Sequence, residues 1–202
     1  RKAVTSKREF WQDYKQDFFT IIITPTIPKS TGLGSSINGS AYKNGFDLYG
    51  TNNMSNDKDT YLYLLYHELM HEWIGGRIAN KHGDLNLWFS EGFTEYYTYK
   101  NRLRAEDISL AEYQELFNDR IIHAYWENPW KNIPNYRIKD DLWEDYYVEK
   151  VAYWRGAVFA FWLDNQILMK SNYEESLDDL MRELLEYCVV NNAKFSDELL
   201  ID

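Results

Sequence analysis

The chain has 202 residues and a mass of 24.2 kDa, with 45% hydrophobic and 17% aromatic residues, four prolines and ten glycines, which excludes a disordered or fibrous protein. Its 22 basic and 32 acidic residues leave a formal charge of −10, and no Lys/Arg cluster reverses that locally, so nucleic acid and anionic membranes are poor candidate partners. Cys188 is the only cysteine; an intrachain disulfide and a Cys-rich zinc fold are therefore ruled out, and in "LLEYCVV" it reads as an inert buried thiol.

In chain order, "TSKREFWQDYKQDF" (5–18) places Phe10, Tyr14 and Phe18 at helical spacing, and "FFTIIIT" then predicts a buried strand closed by Pro25. From 30 to 50 the chain is rich in Gly, Ser and Asn, with "SSINGSAY" and "GFDLYG" as strands between turns, a small sheet with an open edge. A strongly apolar helix follows over about 59–74, with Gly75 and Gly76 placed to stop it. Helices are expected over about 90–104, 109–126, 147–170 and 176–190, with Ser109 and Ser176 as N-caps. "NPWKNIPNY" reads as a proline-marked loop, and the terminal "FSDELLID" as the start of another helix. No repeat or long linker divides the chain, so residues 1–202 read as one α+β domain. No apolar run approaches the roughly 20 residues that span a bilayer. Since it begins at Arg1, the chain reads as part of a larger protein, which would be extracytoplasmic if a signal peptide has been removed.

The chemistry concentrates in "YHELMHEWIGGRI" (66–78). On a helix, residues four apart point nearly the same way, so His67 and His71 can offer two imidazoles to one zinc ion. Glu68 is turned about 100° from His67, where it can flank the ion as a base without binding it. The metzincin pattern fails, because Ile74 and Arg77 stand where it needs Gly and His. In "LWFSEGFTEYY", Glu91 begins a helix twenty residues after His71 and completes a His₂Glu ligand set; Glu95, one turn on, can orient a ligating histidine. His82 and His123 read as surface or packing residues.

"HELMHEWIGG" followed by "LWFSEGFTEYY" resembles the gluzincin metallopeptidases, the thermolysin-like group that includes the M1 aminopeptidases and the M61 glycyl aminopeptidases, and "SEGFTEYY" is closest in wording to M61. "VAYWRGAVFAFWLDNQI" (151–167) is similar to the segment in which these families carry a Tyr followed two residues later by Lys or Arg and then Gly-Ala, which puts the family tyrosine on Tyr153. The resemblance implies a thermolysin-like catalytic domain with a small N-terminal sheet and a mainly helical C-terminal lobe. It further implies Zn²⁺ on His67, His71 and Glu91, Glu68 as general base, Tyr153 as donor to the oxyanion, and a peptide or protein substrate. One departure is marked: aminopeptidases hold the substrate amine with a Glu on the sheet edge upstream of HExxH, and this chain has no Glu between Glu9 and Glu68. The edge around 36–41 remains available to pair with an extended peptide, but the amine anchor is missing unless Asp47 or a residue outside this fragment supplies it. An endopeptidase of the same fold is the alternative. A silent peptide-binding module that keeps the metal and uses Trp126, Trp130 and Trp143 is the rival from another class.

Overall fold

The structure is a computed structural model that describes residues 2–15, 19–26, 37–42, 44–51, 58–142 and 144–201. Helix α1 (Lys2–Trp11) leads into strand β1 (Thr20–Thr26), followed by β2 (Ile37–Tyr42), β3 (Gly45–Thr51) and helix α2 (Lys58–Met70). A 3₁₀ turn (Gly83–Asn86) opens α3 (Leu87–Arg104), and α4 (Leu110–Phe117) passes through a π-helical segment (Asn118–His123) into α5 (Ala124–Glu127). The remainder is α6 (Asn135–Asp141), α7 (Tyr146–Lys170), α8 (Leu177–Asn191) and α9 (Asp197–Ile201). The expected α+β organisation is present, with the sheet at the N-terminal end and the body helical.

The three strands are ordered β1-β3-β2, with β1 parallel and β2 antiparallel to β3. This leaves β2 as an edge whose free side borders the cleft described below. Phe46 and Leu48 on one face of β3 pack with Tyr66 and Leu69 of α2, fastening sheet to helix. Strand β1 corrects the expectation of a buried strand: it is the opposite edge, and although Ile21 packs against the Phe46–Leu69 cluster, Ile22 and Ile23 are exposed. Pro25 is tolerated there because an edge strand does not need every N–H.

Helix α1 is shorter than the 5–18 pattern suggests: Gln12 takes a positive φ (50°), Tyr14 is exposed, and Phe18 lies outside the described residues. Ser109 and Ser176 do cap α4 and α8, each in a reciprocal box with the acid three residues on, Glu112 and Asp179. The expected loop around Pro134 is followed at once by the short helix α6, whose apolar signal is too brief to read. Ile138 and Leu142 tuck under Val148 and Val151 of α7.

Helix α3 is the axis of the main core. Phe89, Phe93 and Tyr97 are fully buried, with Phe89 stacked on Phe195 at a centroid distance of 3.7 Å. Burial of each such ring contributes about 1.5–3 kcal/mol, enough to fix the helix that presents Glu91. Cys188 is buried in the same core, as expected, and His82 and His123 are exposed.

Candidate metal centre

Helix α2 ends at Met70, short of the expected residue 74, so His67 lies in its last turn and His71 just beyond it. The chain continues in tight turns, Ile74 N–H donating to the Met70 carbonyl, and swings away at Gly75, whose φ of +90° disfavours any side chain. The turn places the Ile74 carbonyl 3.2 Å from His71 Nδ1. His67 Nδ1 lies 3.3 Å from Glu95 Oε1, and Glu95 in turn accepts a hydrogen bond from Tyr63, one helical turn before His67. Each Nδ1 therefore faces an acceptor, which in the neutral imidazole favours the proton there and leaves Nε2 as the lone pair that can bind a cation.

Those two lone pairs point at each other. His67 Nε2 and His71 Nε2 are 3.1 Å apart, and Glu91 Oε2 lies 3.5 Å from the first and 3.4 Å from the second. Glu91 Oε2 is buried and has no donor in hydrogen-bonding geometry. In a tetrahedral shell of about 2.0–2.1 Å radius, ligand atoms sit about 3.3–3.4 Å from one another, so the three atoms have the spacing of three zinc ligands around one point.

Electrostatics agree with the need for a cation. Burial lowers the pKa of His67, but the adjacent Glu91 and Glu95 outweigh it and raise it to about 10; His71 is also raised, with Glu91 again outweighing burial. Glu91 is held well below the usual carboxylate range despite its burial, chiefly by His71 and His67. In the absence of metal, a proton on His67 supplies positive charge beside the two carboxylates.

Glu68 does not join the triangle. Burial raises its pKa, and the two imidazoles pull it back in part. A methyl carbon on Gly39 of β2 would come within 2.5 Å of the Glu68 carboxyl, so the edge strand lies directly against the proposed base. Tyr153 of α7 stacks its ring parallel to that of His67, 6.2 Å between centroids. Burial, followed by the charge of Glu91, pushes its phenol pKa far up, so the hydroxyl keeps its proton at any physiological pH. The helix that carries Tyr153 is brought to α3 by Gly92 and Gly156, which meet without side chains between them.

Two chambers open on this point. One of about 890 Å³ is bounded by Ser40, Glu72, Arg77 and Asn80, the other of about 700 Å³ by Tyr63, Tyr99, Arg120 and Trp154; His67, Glu68, Gly39 and Tyr153 border both. All five residues named from the sequence thus gather at one place. Tyr63, Gly39 and Arg120 were not singled out from the sequence; only Tyr63 carried a signal, as the residue one turn before a ligand candidate. Asp47 borders neither chamber and is felt at Glu68 only as a charge that raises its pKa. Trp126 and Trp130 are exposed away from both chambers, and Trp143 and Ser36 lie outside the described residues.

The chain has counterparts among known proteins. The membrane alanyl aminopeptidase of Heliothis virescens is 32% identical over 92 residues, which covers 42% of this chain and 9% of that protein. The crystal structure of an aminopeptidase N family protein from Idiomarina loihiensis shares the fold, with a TM-score of 0.82 and 18% identity over 99% of this chain and 38% of that one. This chain therefore spans well under half the length of either. Residues 41–200 match the peptidase family M1 domain, one of the two groups that the motifs resemble. That match takes in β3, the triangle of His67, His71 and Glu91, and helix α7, and the chain belongs to peptidase family M1.

Proposed function

We propose that this chain is the catalytic domain of a zinc-dependent peptidase, aminopeptidase-like but without the usual glutamate that anchors the substrate amine. The observation that carries the reading is the convergence of His67 Nε2, His71 Nε2 and Glu91 Oε2 at mutual distances of 3.1–3.5 Å, with each Nδ1 turned toward an oxygen outside the triangle. These three would hold Zn²⁺, which when bound supplies Lewis acidity that lowers the pKa of a water from 15.7 toward about 7.

The protein's own groups do the rest. Glu68 accepts a proton from the attacking water and passes it to the leaving amine; its burial-raised pKa makes it a better base than a solvated carboxylate. Tyr153 donates its hydroxyl proton in a hydrogen bond to the oxygen of the attacked carbonyl as charge develops there. Strand β2, unpaired on its cleft side among the described residues, receives the peptide in extended form. Glu95 and Tyr63 hold the His67 ring in the orientation its Nε2 needs.

An endopeptidase reading is favoured by one observation, the absence of any Glu between Glu9 and Glu68. Cleavage of a peptide library with free and acetylated N-termini by the zinc-loaded protein, mapped by mass spectrometry, tests both readings. Trimming from free ends alone supports the aminopeptidase; internal cuts in blocked peptides support the endopeptidase. Glu68→Gln should retain zinc and lose cleavage, whereas His67→Ala should lose both. Undiminished turnover by Glu68→Gln, or full zinc occupancy in His67→Ala, contradicts the assignment.

A further inference from the structure

The smaller chamber holds a cation that the hydrolytic chemistry does not use. Arg120 lies in the π-helical segment Asn118–His123, inside what the sequence presents as one helix from 109 to 126. A π turn widens the helix and rotates the residues after it, and such turns concentrate at functional sites. Ile121, beside it, is buried and also borders the chamber. Arg120 itself is exposed, with no hydrogen bond or ion pair to any of the described residues.

Of the other charged groups bordering this chamber, Glu68 is the proposed base and the rest have partners. Lys150 pairs with Glu149 at 2.8 Å and sits over the Tyr153 ring at 4.1 Å; Glu95 is engaged by Tyr63 and His67. The charge of Arg120 reaches Tyr99 on the facing wall. An unpaired guanidinium therefore shares a cavity of about 700 Å³ with the reacting centre, among aromatic walls formed by Tyr63, Tyr99 and Trp154. Guanidinium offers several fixed donors and matches a carboxylate better than any other group a peptide carries.

We propose that this chamber is a substrate subsite in which Arg120 binds a carboxylate of the peptide, either an acidic side chain near the scissile bond or the free C-terminus. The proposal takes the peptide substrate from the hydrolytic reading, and its test separates the two by measuring binding without turnover. Zinc-loaded Glu68→Gln protein is titrated with fluorescent peptides in matched pairs, Glu against Gln at each position and C-terminal acid against C-terminal amide. A charge-assisted contact predicts about tenfold tighter binding of the charged member of one pair, and which pair responds identifies the source of the carboxylate.

Adding Arg120→Gln should bring that ratio close to one, and Arg120→Lys should restore part of it; circular dichroism and zinc content establish that each variant is folded and loaded. Ratios near one for every pair before Arg120 is changed, a ratio that survives Arg120→Gln, or no peptide binding at all would each overturn the subsite. A ratio that behaves as expected in a protein whose unsubstituted form cuts no peptide would leave the subsite standing and reject the hydrolytic reading.

Discussion

Gly92 of α3 and Gly156 of α7 face each other so closely that a methyl carbon on Gly156 would lie 2.7 Å from the Gly92 Cα and overlap the Trp88 carbonyl. The two helices make the most extensive helix contact of the described fold, and one residue before Gly92 is Glu91 while three before Gly156 is Tyr153. The glycine contact thus sets the separation of a proposed metal ligand and the proposed oxyanion donor.

Gly156→Ala should therefore destabilise the protein by about 1–3 kcal/mol, although alanine is the better helix former, because the added carbon meets backbone that cannot rotate away. Urea denaturation of the folded, zinc-loaded protein measures it. A variant as stable as the parent would show that the helices separate freely, and the account of how Tyr153 is placed would fail.

Glu95→Gln should keep the fold and weaken zinc binding by about 10- to 100-fold, the usual cost of losing the acceptor behind a ligating imidazole. Competition with a chromophoric chelator reads the affinity directly. Unchanged affinity would mean that the Tyr63–Glu95–His67 chain is packing alone.

Tyr153→Phe removes a hydroxyl and little volume. Turnover should fall by about 10² to 10³ while zinc content stays full, and the loss should appear in kcat rather than KM, because the bond strengthens only as charge develops on the carbonyl oxygen. A loss confined to KM would reassign Tyr153 to substrate binding.

The pH dependence follows from His67. Its pKa in the metal-free fold is raised from 6.5 to about 10, so between those values the folded state binds a proton that the unfolded chain does not. Stability of the metal-free protein should accordingly be greatest below about pH 6.5, as far as this group is concerned, and decline as pH rises through about 10. Zinc must displace that proton, so calorimetric titration at pH 8 in buffers of different ionisation enthalpy should show about one proton released per zinc. No release would mean that His67 is already neutral there and that the carboxylates do not hold its proton.

The sequence by itself marked the candidate site. His67 and His71 were legible because helical periodicity turns a four-residue spacing into a shared face, Glu68 because it follows the first of them, and Glu91 and Tyr153 through segments similar to those of a known family. The long helices and both serine caps were legible for the same local reason: their signals lie within a few residues of the structure they specify. What the tertiary structure decided depends on residues far apart in the chain. Burial of β1 could not be read, since an apolar run says nothing about whether another layer covers it. The end of α2 at Met70, which lets the Ile74 carbonyl orient His71, arises from the chain folding back on itself. The pairing of Gly92 with Gly156, the pressing of Gly39 against Glu68, and the delivery of Arg120 to a cavity that His67 borders join segments up to 64 residues apart, at a distance where no local pattern carries information.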